Sequence, residues 1–201
     1  MKMILASNNK NKLRELKAIL SDLDVELLSQ SEAGCDFEVD ETGTTFEENA
    51  FLKAKAVFDA THITTVADDS GLMVEALGGE PGVYSARYAP GGHDATDKEK
   101  YSYLLKKMEG MDDRRAKFKT AICCLMPDGT EIRTEGECRG EILYSPRGDQ
   151  GFGYDPVFRP EGYDSSMAEL GTGVKNQISH RANALRKFKK ELVKYTDGTD
   201  K

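Results

Sequence analysis

Apolar and polar positions along this chain switch between two periods. Residues 2–6 carry the short apolar run "MILA" and read as a strand. Residues 11–21 place Leu13, Leu16, Ile19 and Leu20 at helical spacing. "DVELLS" (24–29) reads as a second strand. Residues 44–61, "TTFEENAFLKAKAVFDAT", read as a strong helix with Ala50, Ala54, Val57 and Phe58 as its apolar stripe. Thr45 and Glu48 have the spacing of a capping box at its start. A β-rich run, "ITTVA", ends at Asp68, and "GLMVEAL" (71–77) reads as a further short strand. A Gly- and Pro-rich loop follows, then Thr96 and Glu99 repeat the capping-box spacing before a helix running to about Met108. From there the period changes. Residues 116–144 read as an antiparallel meander turning at "PDGT". The last helix starts at His180, with Ala184, Leu185, Phe188, Leu192 and Tyr195 on one side. Strand–helix alternation at the front and hairpins behind predict an α/β fold with a mixed sheet. No repeat or linker divides the chain, so residues 1–201 are expected to form a single domain.

Composition narrows the classes. Hydrophobic residues make up 38% of the 201, enough for a substantial core. No stretch approaches the ~20 apolar residues of a membrane span, and the N-terminus turns polar too soon for a signal peptide. These features predict a cytoplasmic protein without membrane association. The four cysteines, Cys35, Cys123, Cys124 and Cys138, have no metal-ligand spacing and are expected to be reduced and mostly buried. The net charge of −7 argues against broad binding of nucleic acid polymers. It leaves room for a local basic pocket that takes a small anion.

Four segments carry candidate chemistry. "SNNKNK", Ser7, Asn8, Asn9, Lys10, Asn11 and Lys12, opens the first helix. Lysines there oppose the helix dipole by roughly 0.3–1 kcal/mol each unless an anion compensates. Backbone N–H groups, asparagine amides and ammonium groups together suit a phosphate; a solvated loop is the other reading. "VADDSG" puts Asp68, Asp69 and Ser70 at a strand end. Successive side chains face opposite ways, so one carboxylate of the pair enters a given site. Asp40 and Glu41 could supply a second oxygen ligand for Mg²⁺, which favours one or two carboxylates with phosphate oxygens and water; an Asx turn is the alternative. "GDQGFGYDPVF" holds Phe152, Tyr154 and Asp155 among glycines, as a base-stacking loop or as a hairpin with core aromatics. "SHRANAL" places Ser179 as an N-cap, with His180 and Arg181 in the first turn against the dipole. There is no Walker motif and no dinucleotide G-x-G-x-x-G.

Taken in order and spacing, "SNNKNK", "ETGTTFEENAFLKAKA", "ADDSGL", "GEPGVYSARYAP", "GFGYDPVF" and "SHRANAL" resemble the inosine/xanthosine triphosphate pyrophosphatase family over nearly the whole chain. The first segment more often begins with Thr and carries a Gly in that family; Ser7 and Asn9 stand in those places. The resemblance implies an elongated two-lobed α/β fold with a mixed central sheet flanked by helices and an active-site cleft between the lobes. It implies a homodimer and a Mg²⁺-dependent hydrolysis of ITP, dITP and XTP to the monophosphate and pyrophosphate. By resemblance, Ser7 through Lys12 and Lys53 hold the triphosphate. Asp69 is the general base and a metal ligand, and Glu41 is the second ligand. Ser70 contacts substrate. Phe152 stacks on the purine, Gly153, Tyr154 and Asp155 line the pocket, and Lys175, His180 and Arg181 complete base recognition. The competing readings are a pyrimidine-preferring septum-inhibitor-like relative, a nucleotide sensor without turnover, and an RNA-binding module. The acidic balance opposes the last.

Overall fold

The computed structural model describes residues 1–198; the last three positions of the expected 1–201 domain lie outside the described residues. The elements are β1 (Lys2–Leu5), α1 (Lys10–Ile19), β2 (Glu26–Ser29), α2 (Phe46–Thr61), β3 (Thr65–Val74), α3 (Asp97–Lys107), β4 (Arg115–Leu125), β5 (Glu131–Ile142), β6 (Phe158–Pro160), α4 (Met167–Ile178) and α5 (His180–Asp197). The strands form one sheet in the order β2-β1-β3-β4-β5-β6. It is mixed: β1 runs parallel to β2 and to β3, with Met3 opposite Leu27 and Ile4 opposite Thr65, whereas β5 and β6 are antiparallel, with Ile142 opposite Phe158. The α/β class with a mixed sheet agrees with the periodicity.

The chain forms two compact units. One comprises residues 1–69, 120–136 and the C-terminal segment from 184; the other comprises 70–119 and 137–183. Each has its own core. In the first, Met3, Leu5 and Val66 of the strands pack with Leu16 and Leu20 of α1, Ile122 and Cys124 of β4, and Phe188 and Leu192 of α5. In the second, Leu72, Val74, Phe118, Ile142 and Phe158 pack with Leu104 and Met108 of α3 and Met167 of α4. The stripe read on the last helix is therefore a core face, with Tyr195 half-buried against it. All four cysteines are buried free thiols.

The helix starts follow the sequence closely. Thr45 caps α2 and Thr96 caps α3, each in a reciprocal box with the glutamate three residues on. The strands differ more. "ITTVA" and "GLMVEAL" are not two strands but one: β3 runs unbroken through Asp68, Asp69 and Ser70, and residues 75–77 form a 3-10 turn. The strand passes through two buried carboxylates because a lysine meets each of them, Lys12 at Asp68 and Lys53 at Asp69. The Asx turn considered for this stretch does not form. β6 and α4 have no counterpart in the sequence reading. β6 is only three residues long. α4 is kinked at Gly171, which has φ 74°, and this breaks the apolar period, although Ser166 and Glu169 cap its start as a box.

Candidate active site

In the first unit, β1 delivers the "SNNKNK" segment directly onto α1. The Ser7 Oγ accepts from the Asn9 N–H at 3.2 Å, and the Asn8 side chain accepts from the Ser31 N–H at 2.9 Å. Asn9 is the N-cap: its Oδ1 accepts from the N–H groups of Asn11 (2.9 Å) and Lys12 (3.2 Å). This corrects the expectation of open first-turn amides at those two residues, because the cap takes them. Asn11 in turn accepts from the Arg14 guanidinium at 3.1 Å. Asn8, Asn9, Lys10 and Asn11 are exposed, and Ser7 and Lys12 are half-buried. The Lys12 ammonium lies 3.0 Å from the Asp68 carboxylate. Of the two lysines opposing the α1 dipole, Lys12 is thus met from within the chain by the first aspartate of "DDS".

The second aspartate faces a different set of partners. Lys53 donates to Asp69 Oδ1 at 2.9 Å and to Glu41 Oε1 at 2.6 Å. Asn49 donates to Asp69 Oδ2 at 3.2 Å. Asn49 and Lys53 stand four residues apart on α2, hence on one helix face, and β3 brings Asp69 to them. Burial pushes the Asp69 carboxyl above the ordinary aspartate range; Lys53 pulls it back, the charge of Glu41 adds to the rise, and the balance stays upward. For Lys53, burial works against the charged form, but Asp69 and then Glu41 outweigh it and hold the ammonium above its usual value. Two carboxylates converging on one cation is an oxygen-donor arrangement that fits Mg²⁺, which takes one or two carboxylates and completes its shell with phosphate oxygens and water. Among the described residues no cluster of three or more His, Cys, Asp or Glu side chains forms a complete protein cage.

Asn49 was not singled out from the sequence. Its signal is a fully buried asparagine in the interior of a helix, where asparagine has low propensity. Its Oδ1 accepts from the Gly43 N–H at 2.8 Å, which joins the segment carrying Glu41 to Asp69 through one side chain. Asp68, the partner of Lys12, had no role of its own in the sequence reading, which said only that one carboxylate of the pair enters a given site.

The second unit holds the remaining candidates. Ser70 is half-buried at the point where β3 enters this unit. The two aromatics of "GFGYD" part company: Tyr154 is 4% exposed and Phe152 is 53% exposed. The hairpin reading therefore suits Tyr154, whose hydroxyl donates to the Ser85 carbonyl at 2.8 Å, while the ring of Phe152 stays available. Asp155 is buried; its Oδ2 accepts from the Phe152 N–H at 3.0 Å and from the Lys175 ammonium. Lys175 also lies 4.0 Å above the Phe152 ring. A side chain at Gly151 would place its Cβ 2.2 Å from that Asp155 oxygen, so this turn requires glycine. Burial pushes the Asp155 carboxyl up, with Lys175 pulling it back. At the start of α5, Ser179 accepts from the Ala182 N–H at 3.2 Å as the N-cap. His180 stacks on Phe118 with ring centroids 4.8 Å apart, and Arg181 is buried.

A sequence model of the Ham1 family matches residues 3–191 of this chain. The chain belongs to the Ham1 family. It is 48% identical over 195 residues to the dITP/XTP pyrophosphatase of Aquifex aeolicus, covering 94% of this chain and 95% of that protein. It is 48% identical over 189 residues to the Bacillus licheniformis protein of the same name, covering 92% and 95%. Solved Ham1 proteins share the fold. The Staphylococcus aureus protein superposes with a TM-score of 0.88 at 42% identity over the full length of both chains. The Coxiella burnetii protein has a TM-score of 0.91 at 39% identity, covering 96% of this chain and 99% of its own.

Proposed function

We propose that this Ham1 chain hydrolyses deaminated purine nucleoside triphosphates, ITP, dITP and XTP, to the monophosphate and pyrophosphate, and so keeps them out of DNA and RNA. The observation that carries the reading is Lys53 held between Asp69 and Glu41, with Asn49 on the other Asp69 oxygen, in a chain whose relatives bear the name dITP/XTP pyrophosphatase. Magnesium, when bound by Asp69 and Glu41, would neutralise phosphate charge and the departing pyrophosphate. Lys10, Lys12 and Lys53 neutralise the triphosphate from the protein side, aided by the polar groups of Ser7, Asn8, Asn9 and Asn11. Asp69 accepts a proton from the attacking water. The water oxygen forms the new P–O bond, the bond between the α and β phosphates breaks, and pyrophosphate leaves with the electron pair. A general base of this kind contributes about 10²–10⁴-fold.

Base selection falls to the second unit. Phe152 stacks on the purine, beside Gly153, Tyr154 and Asp155, and Lys175, His180 and Arg181 supply donors. A donor facing C6 accepts the carbonyl of hypoxanthine or xanthine and opposes the amino group of adenine, a buried mismatch that hydrogen-bonding sites reject strongly. The proposal extends to a cytoplasmic homodimer, which sedimentation velocity tests.

Pyrophosphate release from ITP, XTP, dITP, ATP, GTP and UTP, with Mg²⁺ and with EDTA, tests the reading. Metal-dependent release confined to ITP, XTP and dITP is expected. Release mainly from UTP would instead make the chain a pyrimidine-type enzyme, and no release from any would favour a sensor. Asp69→Asn should abolish turnover while nucleotide still binds by calorimetry; full activity would remove Asp69 as the base.

A further inference from the structure

The N–H groups on either side of the Phe152 α-carbon are both tied to carboxylates. Phe152 N–H donates to Asp155 at 3.0 Å, and Gly153 N–H donates to Asp97 Oδ2 at 2.6 Å. The first bond closes a short turn within the loop. The second comes from 56 residues away in sequence, from the first residue of α3. Two fixed peptide planes leave the backbone of Phe152 little freedom, although its ring is exposed. Gly153 sits in the left-handed region at φ 63°, and Gly151 does so at 87°, so the loop has no strong conformational preference of its own to hold the ring.

Asp97 is itself set in place. Thr96 and Glu99 cap α3 reciprocally: the Thr96 N–H donates to Glu99 at 2.7 Å and Thr96 Oγ1 accepts from the Glu99 N–H at 3.2 Å. Lys100 lies 3.8 Å from the other Asp97 oxygen, Oδ1. An aspartate in the first turn favours the helix dipole wherever its side chain points. Here one oxygen is directed onto the amide that follows Phe152.

We propose that Asp97 is a positioning residue for the purine subsite: by holding the Gly153 amide it presets the Phe152 ring for stacking before substrate arrives. This rests on the nucleotide reading above. Asp97 does not touch the reacting phosphates, so its loss acts on the affinity for the base and not on the chemical step. A carboxylate that merely favours the α3 dipole would need its charge; a clamp needs only an acceptor oxygen. Asn at this position keeps the acceptor and loses the charge, and Ala loses both.

The test uses Asp97→Ala and Asp97→Asn in two settings. In the natural chain, Asp97→Ala is expected to raise KM for dITP about tenfold, the loss of a charge-assisted hydrogen bond on a partly exposed loop, with kcat within about twofold. Asp97→Asn is expected to restore most of that KM. The second setting needs no turnover. The chain contains no tryptophan, so Phe152→Trp puts a single tryptophan on the loop, excited selectively at wavelengths where tyrosine does not absorb. In that background Asp97→Ala should increase acrylamide quenching and lower the anisotropy, and Asp97→Asn should not. Equal losses in Ala and Asn, accompanied by a lower melting temperature, would assign Asp97 to helix stability and overturn the proposal. Unchanged KM and quenching in the Ala variant would overturn it too. If the natural chain is inert on every nucleotide, the nucleotide reading falls and the purine assignment with it; the quenching comparison then still decides whether Asp97 clamps the loop.

Discussion

Lys175 and Asp155 meet where burial and charge oppose each other. Asp155 is 4% exposed, and burial raises its carboxyl pKa while the lysine lowers it. A folded-state value above the unfolded one means that folding favours the protonated acid. The stability tied to this group is full below the ordinary aspartate value and falls as pH rises through the raised one. Lys175→Met removes the lowering influence and moves Asp155 further up. The difference in melting temperature between parent and variant is therefore expected to be small near pH 4 and to widen as pH rises to about 8, where an unpaired buried carboxylate costs about 3 kcal/mol. Thermal scans across that range check it; a difference that narrows with rising pH would contradict the pairing. Phe152 shares this lysine, which lies 4.0 Å above its ring, so the Phe152 ring and the Asp155 carboxylate are coupled through one side chain.

Helix α2 shows how one element organises several residues. Thr45 and Glu48 begin it with a reciprocal cap, and the four-residue spacing of Asn49 and Lys53 then aims both at Asp69 of β3. The cap lies one turn or two ahead of these residues, so fraying at the start of α2 reaches Asn49 first. Thr45→Ala is expected to cost about 1 kcal/mol by urea denaturation. It should also reduce turnover more than the equivalent change at Thr96, which caps α3 and has no link to Asp69. Equal losses of turnover from the two caps would argue that α2 does not organise Asp69. β3 makes the same point from the strand side: its alternation sends Asp68 to Lys12 and Asp69 to Lys53, one carboxylate to each lysine.

For the molecule as a whole, the two cores are built from different side chains, yet β3, β4 and β5 each contribute residues to both units without leaving the strand. A strand cannot stay ordered over half its length while the rest melts without fraying its own ladder. We therefore expect one cooperative unfolding transition, in keeping with a single domain. Phe188→Ala in the first core and Phe158→Ala in the second should each cost about 3–5 kcal/mol and shift the same transition. Calorimetry that resolved two transitions, with each variant moving only one, would separate the units energetically.

Local periodicity was enough to locate what depends on neighbours in sequence: the capped starts of α2 and α3, the apolar face of α5, the meander of β4 and β5, and the charge mismatch that marked residues 7–12. Apolar spacing and caps are short-range signals, and the structure keeps them. Long-range pairing decided the rest. β6 exists because a three-residue segment finds β5, and β3 is continuous because lysines from α1 and α2 neutralise its two aspartates. No window of a dozen residues contains those partners. The same holds at the candidate site. By resemblance the sequence paired Asp69 with Glu41 as metal ligands and assigned Lys53 to the triphosphate. Only the tertiary structure brought them to one point, added the buried Asn49, directed Asp68 to Lys12, and divided Phe152 from Tyr154 into an exposed ring and a core one. Burial and charge pairing are properties of groups distant in the chain and adjacent in space, and residue type alone does not carry them.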